Sequence, residues 1–191
     1  MRCLARTVGA ADMGRVPIFS AMPVLASVLL VLLCACSPTL DWRQVRPQDW
    51  GLALAMPCRP SHQVRQVPLA GHAVELGLLA CSADGHTFAV ASADMSDPSR
   101  VGPALRALGE AARVNVQGTV EDDRAAEVAG MTPQAAARHW RLHGRLPDGT
   151  QVREQVMVFA HGLRVFQASL VGPVADEVRA KPFFDSIELA R

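Results

Sequence analysis

The stretch RHWRLHGRLPDGTQVREQVMVFAHGLRVFQASLVG, residues 138–172, decides the fold. Trp140, Leu142 and Leu146 alternate with His139, Arg141, His143 and Arg145, which is the period of a strand with one apolar and one basic side. Pro147-Asp148-Gly149 supplies the residues of a tight turn. Val152, Val156 and Val158 continue in a second strand, His161-Gly162 turns the chain again, and Val165, Phe166, Ala168 and Leu170 return. Three consecutive strands joined by short turns make an antiparallel meander.

Upstream, Gly51 to Met56 reads as a first strand, ended by the turn residues Pro57-Cys58-Arg59-Pro60. Val74, Leu76 and Leu78 alternate with Glu75 and Gly77, and Ala83-Asp84-Gly85-His86 carries an Asp-Gly pair suited to the positive backbone angles of a hairpin. Thr87 to Ala93 is the return strand. The period then changes. Asp97-Pro98-Ser99 offers a cap and a first-turn proline, and Val101, Ala104, Leu105, Leu108, Ala111 and Ala112 recur at helical spacing, predicting one helix from Ser99 to Val114. Between Asn115 and Ala137 the pattern is weak: Glu121-Asp122-Asp123 reads as a solvated loop and Val128 to Met131 as a short edge strand. Downstream, Gly172-Pro173 stops the meander, Ala175 to Asp185 reads as a helix interrupted near Pro182, and Ile187-Glu188-Leu189 as a last strand. The expected class is α+β, an antiparallel β-sheet covered by helices.

The run Gly162-Leu163-Arg164-Val165-Phe166-Gln167-Ala168, then Gly172-Pro173, then Phe183-Phe184-Asp185-Ser186-Ile187-Glu188-Leu189 resembles the C-terminal half of PsbP-like α/β/α sandwich domains. That resemblance implies an α/β/α sandwich used for docking to larger assemblies. It transfers no catalytic residue, because the shared motifs are packing motifs, and Phe183 and Phe184 are expected in the core of the last helix.

The amino-terminal segment says where the chain works. No charged residue lies between Arg15 and Asp41, and Ile18 to Ala35 is almost wholly apolar behind Arg2, Arg6 and Arg15, the layout of a secretory signal peptide. The run ends in Leu33-Cys34-Ala35-Cys36, which resembles the lipobox of bacterial lipoprotein precursors. The resemblance implies cleavage before Cys36, a diacylglyceryl thioether on its thiol and usually an acylated amine. Several acyl chains, at about 0.8 kcal/mol per buried methylene, make an anchor that hardly dissociates. An uncleaved transmembrane helix is the competing reading, but Pro23 interrupts the run. Ser37, rather than an aspartate after the lipidated cysteine, favours the periplasmic face of the outer membrane over the inner membrane. The expected organisation is residues 1–35 as signal peptide, 36–50 as a short membrane-proximal linker and 51–191 as one globular domain. Trp42 and Trp50 either dock onto that domain or lie at the lipid interface.

Composition bounds the function. Nineteen Lys+Arg stand against 18 Asp+Glu; a leader holding Arg2, Arg6, Arg15 and Asp12 leaves 16 against 17, a net charge of −1. Nothing basic recommends a nucleic-acid partner. Once Cys3 and Cys34 leave and Cys36 is lipidated, Cys58 and Cys81 remain in an oxidising compartment, and a disulfide between them is expected. No Gly-x-Ser-x-Gly, His-Glu-x-x-His or Gly-x-x-x-x-Gly-Lys motif is present, and no cysteine pair has zinc spacing. No cofactor is expected.

One constellation carries chemistry. His139, Arg141, His143 and Arg145 share one side of a strand and form a candidate stripe for an anionic headgroup, a glycan phosphate or an acidic partner. An ordinary solvated side, or one covered by the second helix with Asp176 and Glu177, accounts for the same residues. A metal is excluded, because His139 and His143 are separated by roughly 13 Å along a strand. The expected function is a lipid-anchored, non-enzymatic binding or assembly-accessory module contacting an envelope protein. The alternative is a small periplasmic hydrolase with a spatially assembled His/Asp/Ser site.

Overall fold

A computed structural model describes residues 40–190. Residues 1–35, read above as a signal peptide, and Cys36, read as the lipidation site, lie outside these residues. Ten strands and two helices follow in the order β1 (Arg43–Val45), β2 (Leu52–Met56), β3 (Ser61–Leu69), β4 (His72–Ala83), β5 (His86–Asp94), α1 (Pro98–Asn115), β6 (Thr119–Ala125), β7 (Arg138–Arg145), β8 (Gln151–His161), β9 (Arg164–Gly172), α2 (Glu177–Asp185) and β10 (Glu188–Leu189).

The large sheet has seven antiparallel strands in the order β3-β4-β5-β9-β8-β7-β6. Two meanders, β3 to β5 and β6 to β9, flank α1, and β9 joins them by pairing with β5 from Thr87↔Val171 to Asp94↔Arg164. The turns are those the sequence requires: Asp84 and Gly85 both take positive φ at the β4–β5 hairpin. Helix α1 starts where Asp97 accepts hydrogen bonds from the Ser99 amide and hydroxyl, with Pro98 in its first turn. It lies on the sheet side that carries Ala91, Trp140, Leu142, Val156 and Val158. Gly109 permits this closeness, since a Cβ there would stand 2.8 Å from the Trp140 ring.

The other side of the sheet overturns the expected α/β/α sandwich. The fold is β-rich, with only two helices among the described residues. Opposite α1 the sheet is closed not by a helical layer but by a second, three-stranded sheet, β1-β2-β10, together with the nine-residue α2. The last strand pairs with β2, as Glu188↔Ala53 and Leu189↔Leu52, instead of extending the large sheet. Trp50 is buried over Gly77, where any Cβ would strike its ring at 2.5 Å, and Trp42 sits edge-on to Phe88 with centroids 6.0 Å apart. Both tryptophans therefore dock onto the domain. Phe88, Phe183 and Phe184 continue the aromatic contacts across α2, and Cys58 is disulfide-bonded to Cys81 on β4 with a Cα–Cα distance of 6.0 Å.

Two local expectations are also corrected, and two strands appear where none was expected. Strand β3 falls in residues that show no alternation, because Ser61 to Gln66 are exposed on both sides. Glu121-Asp122-Asp123 is not a loop but the middle of β6, held to β7 and bulged between Val120 and Asp122. Val128 to Met131 is not a strand; the Met131 amide closes a turn onto the Val128 carbonyl at 3.1 Å. Strand β1 lies within the 36–50 segment read as linker.

Candidate functional site: the charged side of strands β6 to β9

Strand β7 places His139, Arg141, His143 and Arg145 on one side of the sheet, the side facing α2. Their opposite numbers on β8 are Met157, Gln155, Arg153 and Gln151. On the outer flank the bulge in β6 changes the alternation, so that two consecutive acids meet this side. Glu121 pairs with Arg153 and stands 4.0 Å from the His143 ring, while Asp122 lies 3.5 Å from Arg141. The next acid, Asp123, points to the α1 side and accepts from Arg138 and from the Trp140 indole.

The four stripe residues are thus together but differently used. His139 is buried, 8% exposed, under the Phe184 ring with centroids 4.8 Å apart. Arg124 approaches its Nδ1 at 3.2 Å, and since a guanidinium only donates, Nδ1 must accept and the ring proton sits on Nε2, which is buried without a hydrogen-bond partner among the described residues. Burial first, and the Arg124 charge second, push the His139 pKa down to about 4. His139 is neutral at physiological pH and adds no charge. Arg141 is exposed but shared between Asp122 and Glu177, the latter at 3.4 Å on α2. Glu177 also accepts from the Gln155 amide at 3.2 Å. His143 contacts Gln151 at 3.0 Å through Nε2. Arg145 is exposed at the strand end, where its backbone N–H donates to the Val116 carbonyl.

Beside these groups a cleft of about 580 Å³ opens between the β6–β8 ends and the Pro173–Ala175 connection, lined by Glu121, His143, Gln151, Arg153 and Val174. A recess of about 140 Å³ continues from it along Arg141, Gln155, Leu170 and Asp176. Its far wall is the start of α2, where Asp176 caps the helix by accepting from the Arg179 amide at 3.0 Å and pairs with the Arg179 guanidinium. Arg179 also reaches Asp84 on the β4–β5 hairpin, and the neighbouring His86 ring fits only because residue 172 is glycine. The cleft is lined by cations and carboxylates in pairs, so an incoming acidic group must exchange with one of the resident acids.

A further titratable group lies on the opposite side of the sheet. Glu154 pairs with Leu142 and Val171, is 4% exposed, and has one carboxyl oxygen without a partner. Burial alone pushes its pKa up to about 8. Its sequence signal is phase: Glu154 occupies the alternation of Val152, Val156 and Val158.

No family model matches the chain, and no curated protein is similar to it. Among solved structures, the Pseudomonas aeruginosa protein PA94, itself of unknown function, is similar with a TM-score of 0.39 and 16% identity, covering 74% of this chain and 89% of that one. A likeness at that level carries no argument about function.

Proposed function

We propose that the chain is a lipoprotein of the bacterial envelope, anchored through an acylated Cys36 at the periplasmic face of the outer membrane, whose domain binds an envelope partner and does not turn over a substrate. The observation that carries the reading is Leu33-Cys34-Ala35-Cys36 at the end of an uncharged apolar run. The Cys58–Cys81 disulfide is in keeping with an oxidising compartment.

The partner surface in this reading is the exposed part of the stripe. Glu177 holds Arg141 from a side chain that is itself 64% exposed. An acidic group of the partner takes its place at Arg141, and the exposed Arg145 at the strand end adds a second cation. Exchange of one carboxylate for another costs little desolvation, so this chemistry favours selective docking over tight anion capture. In-cell crosslinking of the intact chain tests the reading. Reproducible capture of one envelope protein, lost on Cys36→Ala and on the Arg141→Glu, Arg145→Glu double variant, supports it. Capture that is indifferent to both changes refutes it.

A further inference from the structure

The two edges of the large sheet are built differently. Edge β6 is guarded by its bulge, by Glu121, Asp122 and Asp123, and by the ion pairs these make, which are the usual protections against strand addition. Edge β3 has no bulge and no acidic run, and its protections are limited to Arg65 and to Pro68 near its end. It pairs with β4 from Ser61↔Ala80 to Leu69↔His72 without a register shift. Six consecutive residues, Ser61 to Gln66, are exposed, Trp50 touches only the His62 ring among them, and among the described residues no strand pairs with the outer side of β3. At their centre Val64 is 50% exposed, a branched apolar side chain in water.

The sequence of this edge is complementary to itself in one register. Two copies related by a two-fold axis perpendicular to the sheet pair residue i with residue j so that i + j is constant and even, because opposite residues must share a side. Centred on Arg65, the pairing sets Arg65 against Arg65 and includes Pro68, which has no N–H to give. Centred on Gln63, it is shorter. Centred on Val64, it sets Val64 against Val64, Gln63 against Arg65, His62 against Gln66 and Ser61 against Val67. No like charges then face each other. Gln63 already accepts from Arg65 within one copy, at 3.0 Å, so the same polar pair can form between copies. Pro60 and Pro68 fall opposite each other and end the ladder symmetrically at both sides.

We propose that the β3 edge, Ser61 to Val67, is a self-association surface: it pairs antiparallel with the same segment of a second copy, centred on Val64, joining two seven-stranded sheets into one continuous sheet. The interface is short, and confinement of both copies to one membrane raises their effective concentration.

Cysteine crosslinking in membranes holding the full chain tests both the pairing and its register. Val64→Cys is expected to give a disulfide-linked dimer rapidly under mild oxidation, whereas Val178→Cys, on the far more exposed position of α2, gives little. Gln66→Cys and His62→Cys should each be inert alone, since identical residues then lie roughly 13 Å apart along the strands. Mixed together, the two variants should crosslink to each other. Adding Gln63→Arg places like charges opposite Arg65 twice by symmetry and should lower that mixed yield by roughly tenfold; because position 63 is exposed, circular dichroism should be unchanged. The proposal is overturned if Val64→Cys crosslinks no faster than Val178→Cys, if Gln66→Cys dimerises alone, or if Val64→Cys is captured by a different protein instead of its own copy.

Discussion

Glu154→Gln removes a charge site from beneath α1 while keeping the side chain's shape, and its effect follows from linkage. The carboxyl has an ordinary value of 4.5 and is pushed up to about 8 in the folded chain. Between those values the unfolded chain is ionised and the folded chain holds the proton, so stability falls as pH rises, by ~1.36 kcal/mol per pH unit. His139 acts in the opposite sense: its pKa drops from 6.5 to about 4 on folding, so between those values the unfolded chain holds the extra proton and stability rises with pH. The two slopes offset each other between about pH 4.5 and 6.5, and from there to about pH 8 only the Glu154 slope remains. The native chain should therefore show a plateau followed by a decline. In Glu154→Gln the decline vanishes, stability climbs from about pH 4 to 6.5, and at pH 7 the variant exceeds the native chain by up to about 3 kcal/mol, a ceiling that water penetration lowers. Urea unfolding at pH 5, 7 and 9 reads this directly. A native chain whose stability does not fall between pH 6.5 and 8, or a variant less stable than native at pH 7, would refute the reasoning.

Three further outcomes follow from packing. Cys58→Ser with Cys81→Ser opens a closure of 23 residues and should cost about 2–4 kcal/mol, read as a lowered thermal midpoint that reductant also produces in the native chain. Gly144→Ala brings a Cβ to 2.1 Å from the Val116 carbonyl oxygen, which also accepts from the Arg145 amide, so the α1–β7 contact must shift at a cost of about 1–3 kcal/mol by chemical denaturation. Leu105→Ala empties a fully buried position of α1 over the sheet and should cost about 2–5 kcal/mol, with faster amide exchange along α1.

Much of the architecture was legible where one side of an element is wet and the other dry. Strands β4 and β7 show that alternation, β5, β8 and β9 are largely buried on both sides but read as apolar runs bounded by clear turns, and α1 has both its cap and its stripe, so each falls close to its expected place. Strand β3 was illegible for the opposite reason: exposed on both sides, it has no apolar period to display. Strand β6 hides behind an acidic run whose partners, Arg138, Arg141 and Arg153, come from other strands. The layer opposite α1 was read only in part: β2 and β10 show as strands, but the three-residue β1 does not, and nothing local says that all three pair with one another in a second sheet. That is why a sandwich closed by helices was expected where a second sheet is found. The stripe repeats the lesson at the level of side chains. Period two put His139, Arg141, His143 and Arg145 on one side, but only the docking of α2 decides that His139 is buried beneath Phe184 while Arg141 is shared with Glu177.

The anchor is tested most directly by the mass of the mature amino-terminal peptide from membranes of the producing cell. The expected peptide begins at Cys36 and carries a diacylglyceryl group, with a further acyl chain on its amine. An unmodified Cys36, or a chain that keeps residues 1–35, would contradict it.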